Sequence, residues 1–492
     1  MIIKTNHDEI ENYLSDASNF RGDCQAVYFP ESRDDVSSIL KEANEKRIKV
    51  TVSGNGTGLA GARVPEGGIV IATDKLNKII EINKEKMYAL TEPGILLSDF
   101  LFTLKGMGLL YPPDPTEKNC FLGGTIATNA SGEKTFKYGP TRNYVTELEI
   151  VLADGDVLNL KRGECLANNL ELTLKTLSGK EIKINLPEYK MPSTKNAAGY
   201  YIKPDMDAID LFIGSEGTLG VITKIKLKLL PAPEKIISCI VFFPKEEEAL
   251  DFIQKAREIS YTSRAYNNIQ AIDALSLEYF DERTLDFMRE DFSQVPENSK
   301  AGVWFEQEVT HFNEDFFLDE WMSLLQEFHA DEDSAWFAFT ESDKVRLQEF
   351  RHAIPEKIND FIARNNVTKL GTDVAVPDNK FRELYDYSKK AVVGSGLKFI
   401  IYGHFGNSHM HLNIMPVNSE EYIKGKSVYK SICLKAVELG GTVSAEHGIG
   451  KLKTDYFLAM YGNKIINALA ELKRTLDPNL ILGTGNIFKI PL

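Results

Sequence analysis

The chain has 492 residues, of which 43% are hydrophobic and 26% are charged. This length predicts two or three domains, and the composition excludes a disordered or fibrous protein. The net charge of −14, without any basic run, argues against nucleic acid as a partner, so a pocket for an anion must be positive locally.

The five cysteines are scattered and include no CxxC pair. This argues against an iron–sulfur cluster, a zinc ribbon or a disulfide framework, and favours a reducing compartment. The first ten residues contain early acids and no apolar core, so we expect no signal peptide. No apolar stretch is long enough to span a bilayer. We expect a cytoplasmic protein that could bind peripherally to a membrane. A homodimer is one possible oligomeric state.

The first half of the chain predicts alternating strands and helices. Residues 34–46 have helical spacing, and strands are expected at 49–52, 68–72, 144–152 and 221–230. Residues 161–204 have a weaker pattern, which indicates an insertion or a set of surface strands. Pro231-Ala-Pro marks a domain boundary.

The second half contains amphipathic helical stretches at 247–259 and 343–362. We expect the latter to break or kink at Pro355. The last segment is rich in glycine turns and is expected to fold back on the first domain. The predicted domains are therefore 1–232, 233–455 and a returning C-terminal segment, 456–492.

A glycine-rich loop directly follows the strand at 49–52. Gly54, Gly56 and Gly58 lie at alternate positions, which lets backbone N–H groups converge on a phosphate or pyrophosphate. The loop is neither a dinucleotide fingerprint nor a Walker loop. On this loop alone, a flexible turn is an equally good interpretation.

Three further segments, at 111–116, 123–143 and 214–223, are also rich in glycine, serine, threonine and asparagine. Together the four motifs resemble the FAD-binding (PCMH-type) domain of the vanillyl-alcohol-oxidase-type flavoproteins, over most of the first 230 residues. The resemblance implies noncovalent FAD, because the first loop lacks the histidine to which some relatives attach the cofactor. The implied FAD-binding residues are Ser53, Gly54, Asn55, Gly56, Thr57, Gly58, Asp114, Pro115, Thr116, Gly123, Gly124, Thr125, Thr128, Asn129, Gly132, Glu216, Gly217, Val221, Ile222 and Asn486.

Four of the eight histidines lie between 404 and 447. If residues 409–414 form a strand, His409, His411 and Asn413 share one face, and a hairpin brings His404 beside them. Glu446 and His447 follow in a glycine-rich bend. Imidazoles and a carboxylate together suit zinc or another divalent metal. Apolar packing does not explain this cluster, whereas the other histidines are expected to be structural.

This histidine hairpin and the Ser-Ala-Glu-His-Gly segment at 444–448 resemble the C-terminal domain of D-lactate dehydrogenases, D-2-hydroxyglutarate dehydrogenases and the FAD subunit of glycolate oxidase. The resemblance implies an α+β protein, with a two-part FAD domain and a C-terminal substrate domain of antiparallel sheet and helices. It implies a divalent metal (zinc, or alternatively iron or manganese) on His404, His411 and Glu446. His447 is the implied base, and Arg351 and Asn413 are implied substrate contacts. A motif that begins at Asp373 also matches.

Three positions depart from the family pattern. His409 replaces an asparagine of the usual hairpin turn and could be a further metal ligand or a substrate contact. Gly371 stands where the 2-hydroxyglutarate enzymes have a lysine, although Lys369 could substitute as a substrate-binding residue. The usual C-terminal Asn-Pro-Gly-Lys is replaced by residues 483–486, which puts the flavin contact of Asn486 in question.

We therefore expect an FAD-linked dehydrogenase for a small D-2-hydroxy acid, D-lactate-like rather than dicarboxylate. Arg351 holds the carboxylate, the metal acts as a Lewis acid, and His447 takes the hydroxyl proton. Electrons go to a separate quinone, cytochrome or electron-transfer flavoprotein. The alternatives are a D-2-hydroxyglutarate or glycolate enzyme, an oxidase that reduces oxygen, an ether-lipid-synthase-like non-redox flavoenzyme and a non-catalytic FAD subunit.

Overall fold

The computed structural model describes residues 1–490, so the last two residues of the predicted segment 456–492 lie outside it. Its strands are β1 (Ile2–Lys4), β2 (Ala26–Phe29), β3 (Val50–Ser53), β4 (Ile69–Ala72), β5 (Ile79–Asn83), β6 (Tyr88–Thr91), β7 (Leu109–Leu110), β8 (Val145–Val151), β9 (Val157–Lys161), β10 (Glu171–Lys175), β11 (Glu181–Asn185), β12 (Val221–Lys228), β13 (Leu230–Pro231), β14 (Lys235–Phe243), β15 (Ala274–Asp281), β16 (Ala301–Val309), β17 (Asp331–Phe337), β18 (Leu370–Gly371), β19 (Val374–Ala375), β20 (Phe399–Gly403) and β21 (His409–Ile414).

The α-helices are α1 (His7–Ile10), α2 (Arg33–Lys46), α3 (Leu97–Gly106), α4 (Leu122–Ala127), α5 (Thr135–Tyr138), α6 (Ile209–Phe212), α7 (Glu246–Tyr266), α8 (Glu282–Met288), α9 (Glu314–Glu327), α10 (Glu341–Arg364), α11 (Phe381–Ser395), α12 (Ser419–Glu438) and α13 (Thr454–Leu476). Short 3₁₀ turns lie at Glu11–Tyr13, Thr73–Lys75, Thr141–Tyr144, Asp378–Lys380 and Phe405–Asn407. None of the helices within residues 1–490 is long and apolar enough to cross a membrane.

The first half of the chain forms two sheets. One has the strand order β1-β2-β4-β3, in which β2, β4 and β3 are parallel. Strand β4 is buried along its whole length, as expected for a central parallel strand. The other sheet is antiparallel, with the order β5-β6-β12-β8-β9, and alternate residues of β12 are buried. The predicted surface strands between 161 and 204 are the hairpin β10–β11.

The second half is built on one large sheet with the order β17-β14-β16-β15-β20-β21-β18, and β19 pairs with β21. Strands β20 and β21 form the expected antiparallel hairpin, in which Tyr402 lies opposite His411. Helices and antiparallel strands thus occupy the same unit, and the α+β class predicted from the sequence is confirmed.

Two helices test the sequence patterns directly. Helix α2 matches its prediction: it begins after Ser32, whose side chain accepts a hydrogen bond from Asp35 N, and it buries its apolar stripe. Helix α10, by contrast, continues through Pro355, so the predicted break is wrong, and a kink there stays a prediction. The proline removes one backbone donor, but Ile354 and Ile358 are both fully buried, and this packing favours continuation of the helix.

The chain after α13 lies against the first sheet. Val50 N donates to Ile481 O at 2.7 Å, and Gly483 N donates to Val50 O at 2.9 Å. The buried ammonium of Lys473 binds Asp477 and the carbonyl of Leu482, which fixes the turn between α13 and this contact.

Candidate active site

One cavity of about 300 Å³ joins the glycine-rich loops of the first half to the bend at Glu446 and His447. Most of the sequence-predicted FAD residues line it: Gly54, Asn55, Gly56, Thr57, Gly58, Pro115, Thr116, Gly123, Gly124, Thr125, Thr128, Glu216, Gly217 and Ile222. A Cβ added at Gly124 would meet nothing within 4 Å, and one at Gly54 would meet nothing closer than 4.0 Å. Open space therefore lies beside these backbones, as a bound dinucleotide requires.

The other predicted FAD residues do not line this cavity: Ser53, Asp114, Asn129, Gly132, Val221 and Asn486. Several of them lie behind the residues that line the cavity. Gly132 is needed because a Cβ there would lie 1.9 Å from Asp114 O. The Asn486 amide donates to Ala62 O and Glu216 O and accepts from Lys451, so its role as a flavin contact stays a prediction.

The first glycine loop is held by Arg63, which sequence reasoning missed. Its guanidinium donates to Gly54 O at 2.8 Å and to Ser15 O at 2.9 Å. Gly56 has a φ of +80°, and a Cβ there would lie 2.6 Å from the guanidinium carbon. The positive φ favours glycine at this position, and the arginine holds the loop through the carbonyl of Gly54.

Beside the cavity, four side chains converge, of which Glu446 lines it: His404, His409, His411 and Glu446. One donor atom from each lies within 4.8 Å of all the others. His404 Nε2 is 3.2 Å from Glu446 Oε1, and His411 Nε2 is 3.8 Å from Oε2. Nitrogen donors with one carboxylate suit a divalent transition metal, so the side chains that the sequence singled out fit such an ion.

Asp373 is fully buried and organises the loop that carries Glu446 and His447. Its carboxylate accepts hydrogen bonds from the backbone N–H groups of both residues, at 3.2 and 3.1 Å. It also accepts from His409 Nε2 at 3.1 Å and from the Lys453 ammonium at 2.7 Å. Asp373, Glu446 and His447 also lie close enough to ligate an ion. Both oxygens of Asp373, however, already accept hydrogen bonds from two backbone N–H groups, His409 and Lys453, so this second group suits a cation less well.

Arg351 is 2% exposed and is paired with a carboxylate that the sequence did not single out. Glu278, also fully buried, accepts from Arg351 Nε at 3.0 Å, and its other oxygen lies 2.6 Å from His404 Nδ1. Within residues 1–490 the terminal nitrogens of Arg351 have no hydrogen-bond partner. They remain available for the carboxylate of a substrate.

Asn413 and Lys369 lie together at the edge strand β18. Asn413 is 1% exposed, and its Nδ2 is buried without a hydrogen-bond partner. Such a group is suited to donate a hydrogen bond to a bound ligand. A Cβ on Gly371 would lie 2.6 Å from Asn413 Oδ1 and 3.5 Å from Lys369 Cε. Burial lowers the pKa of Lys369 to about 8.

The ring of His447 faces both the cavity and the histidine cluster. It stacks at 5.8 Å from the ring of His411, and its Nδ1 lies 3.4 Å from Asp373 Oδ2, which leaves Nε2 for a substrate. Burial lowers the pKa of His447. The His411 ring lies 5.5 Å from that of Tyr402, over which Arg351 is placed at 4.9 Å. The predicted base, metal ligands and carboxylate-binding arginine are therefore contiguous.

Lys195 is a further residue that sequence reasoning missed. It is buried, and its ammonium forms an ion pair with Glu446 Oε1, which also accepts from Ser131 Oγ at 3.3 Å. A lysine in an irregular segment between two prolines and a glycine carries no periodic signal. Its position against a carboxylate 251 residues away could not be derived from spacing.

These features define an FAD-linked oxidoreductase, and comparison with known proteins supports the assignment. Two family models match the chain: "FAD binding domain" over residues 24–161 and "FAD linked oxidases, C-terminal domain" over residues 232–487. The chain therefore belongs to the family of FAD-linked oxidases whose members include glycolate oxidase subunits, D-lactate dehydrogenases and D-2-hydroxyglutarate dehydrogenases.

Two relatives cover nearly the whole chain. The glycolate oxidase subunit GlcD of Bacillus subtilis is 30% identical over 94% of this chain and 88% of its own length. The D-lactate dehydrogenase of Anaerostipes hadrus is 29% identical over 98% of this chain and 93% of its own. A solved alkyldihydroxyacetonephosphate synthase superposes with a TM-score of 0.70 at 18% identity, over 98% of this chain and 81% of its own, which shows a common fold alone.

Proposed function

We propose that this protein oxidises a small D-2-hydroxy acid of the D-lactate type to the 2-oxo acid and passes the electrons to a separate acceptor. One observation carries the proposal: the cavity lined by the FAD loops ends at His447 and Glu446. A substrate there would lie between the flavin and the histidine cluster. An ether-lipid synthase of the same fold would have no need for that cluster.

Each side chain of the site has a separate role in this proposal. Arg351 binds the substrate carboxylate through its terminal nitrogens, because Nε is already committed to Glu278. Asn413 Nδ2 donates to a substrate oxygen. His447 Nε2 accepts the hydroxyl proton, while Asp373 holds the ring from the Nδ1 side. When bound, FAD supplies a hydride acceptor, and a divalent metal on His404, His411 and Glu446 supplies a Lewis acid.

The decisive experiment is anaerobic reduction of the purified flavoprotein by a panel of D- and L-2-hydroxy acids. We expect D-lactate to bleach the flavin absorbance and L-lactate to leave it unchanged. Arg351→Lys should weaken the response, because a lysine cannot offer two parallel donors. If no 2-hydroxy acid bleaches the flavin, the proposal is wrong.

A dicarboxylate such as D-2-hydroxyglutarate is the second candidate, and Lys369 favours it. Its ammonium binds only the neutral Asn359 Oδ1, at 3.2 Å, and has no acidic partner within residues 1–490. A second substrate carboxylate would provide that partner. The lysine lies next to Asn413 and so borders the proposed substrate site.

The two candidates are separated by kcat/KM for D-lactate and D-2-hydroxyglutarate in wild type and in Lys369→Ala. A hydrogen bond between charged groups is worth about 1.5–3 kcal/mol, so a dicarboxylate enzyme should lose roughly 10–150-fold. A D-lactate enzyme should lose little. Lys390→Ala, which removes an exposed lysine from α11, is the matched control. A preference for the dicarboxylate that collapses in Lys369→Ala would overturn the choice of D-lactate.

A further inference from the structure

The histidine hairpin holds one more imidazole than the metal set proposed above requires. His409 stands where the resemblance implies an asparagine, and it is fully buried. Its ring centre lies 5.3 Å from that of His404 and 4.3 Å from that of His411. The strand β21 therefore brings a third imidazole into the same cluster.

The three histidines are anchored in the same way, each by one ring nitrogen. His404 Nδ1 lies 2.6 Å from the Glu278 carboxylate, and His411 Nδ1 lies 3.1 Å from the carbonyl of Thr372. His409 is reversed: its Nε2 lies 3.1 Å from Asp373. Each partner can only accept, so each anchored nitrogen carries the proton and the opposite nitrogen presents a lone pair. Such outer hydrogen bonds are typical of metal-binding histidines.

The inner nitrogen of His409 has no partner. His409 Nδ1 is buried and without a hydrogen bond, although it lies only 3.9 Å from Glu446 Oε1. Two acceptors cannot satisfy each other, so this lone pair requires a cation or a donor. A substrate contact is the weaker interpretation, because a ring nitrogen of His409 lies within 4.8 Å of donor atoms of His404, His411 and Glu446, the proposed metal ligands.

We propose that His409 Nδ1 is a third imidazole ligand of the metal, so that this chain binds its ion through three histidines and Glu446. The inference rests on the proposed metal centre and changes its chemistry. An added imidazole favours zinc or iron over manganese, which prefers oxygen donors.

The test compares wild type with His409→Asn in the absence of substrate. We expect zinc to bind on the order of tenfold more weakly, and the zinc-to-manganese affinity ratio to fall with it. X-ray absorption of the zinc protein should count three imidazoles in wild type and two in the variant. His329→Asn, which removes an exposed imidazole, is the matched control. FAD content and thermal unfolding of the metal-free proteins show whether each variant folds.

The outcomes separate this inference from the function on which it rests. If wild type binds zinc through two imidazoles and His409→Asn leaves the affinity unchanged, the third ligand is wrong and the proposed metal centre stands. If saturating zinc, iron and manganese all fail to bind to folded, FAD-loaded wild type, both are overturned. If D-lactate fails to bleach the flavin but three imidazoles are counted, only the proposed substrate is wrong.

Discussion

Glu278→Gln tests the carboxylate that contacts both the proposed substrate-binding arginine, Arg351, and the proposed metal ligand His404. Glu278 is 0% exposed and lies 2.6 Å from His404 Nδ1 and 3.0 Å from Arg351 Nε. The substitution keeps the side-chain volume and removes the charge. The charge of Arg351 then stays buried without its ion-pair partner, and one amide oxygen must serve both Arg351 Nε and His404 Nδ1.

The size of the effect follows from these contacts. Removing one partner of a buried ion pair costs about 3–5 kcal/mol. The value should lie near the lower end for two reasons. The glutamine oxygen can still accept one of the two hydrogen bonds. Glu133 has a raised pKa, mainly because it is buried and next because of the negative charge of Glu278. When that charge is removed, Glu133 can ionise more readily and partly replace Glu278 as a counter-charge for Arg351. We therefore expect Glu278→Gln to lower the free energy of unfolding by about 3 kcal/mol.

The measurements are denaturant unfolding of the FAD-loaded protein and metal affinity without substrate. Loss of an outer hydrogen bond to a metal-binding histidine typically weakens metal binding about 10–100-fold. Glu282→Gln, at an exposed carboxylate paired with Lys300, is the control and should stay within about 0.5 kcal/mol of wild type. If Glu278→Gln behaves like this control in both assays, the assigned role of Glu278 is wrong.

Four further predictions concern the cofactor, the metal, pH and the electron acceptor. Acid precipitation should release the flavin into the supernatant, and colour retained in the pellet would contradict noncovalent binding. A chelator should abolish turnover and leave FAD in place; full activity in metal-free protein would refute the metal on His404, His411 and Glu446. Burial raises the pKa of Glu216 from 4.5 to about 7, so folding disfavours its ionised form. Stability should therefore fall as pH rises from about 4.5 to 7, less steeply in Glu216→Gln, and parallel thermal midpoints would count against this. The pure protein should not reduce NAD, and direct NADH formation would exclude a separate acceptor.

The sequence predicted the parts of the site that depend on local pattern. Strict alternation placed His409, His411 and Asn413 on one face of a strand, and the structure has that strand at β21. The glycine loops predicted most of the FAD cavity, because glycine is the residue that permits close backbone approach.

The parts that local pattern does not encode were missed. Glu278 lies 126 residues before His404 in β15, whose eight residues are all buried. A carboxylate flanked by Leu277 and Tyr279 in a largely apolar strand was the available signal, since such a buried group must be paired. Its partners, however, depend on how distant strands are ordered in the sheet. Lys195 had no such signal, and Pro355 was misjudged because packing on both sides outweighs a single lost hydrogen bond.

This acidic chain can still attract an anion at the proposed site, because each buried carboxylate there has its own cation and one further lysine is left over. Arg351 offsets Glu278, Lys453 offsets Asp373, and Lys195 offsets Glu446. Lys369 is then a cation without an acidic partner in the described chain. A metal on Glu446 would add two further positive charges beside Lys195, in surroundings where charges are weakly screened. The metal therefore leaves an excess of positive charge that a substrate carboxylate would offset, so metal and substrate should each strengthen binding of the other.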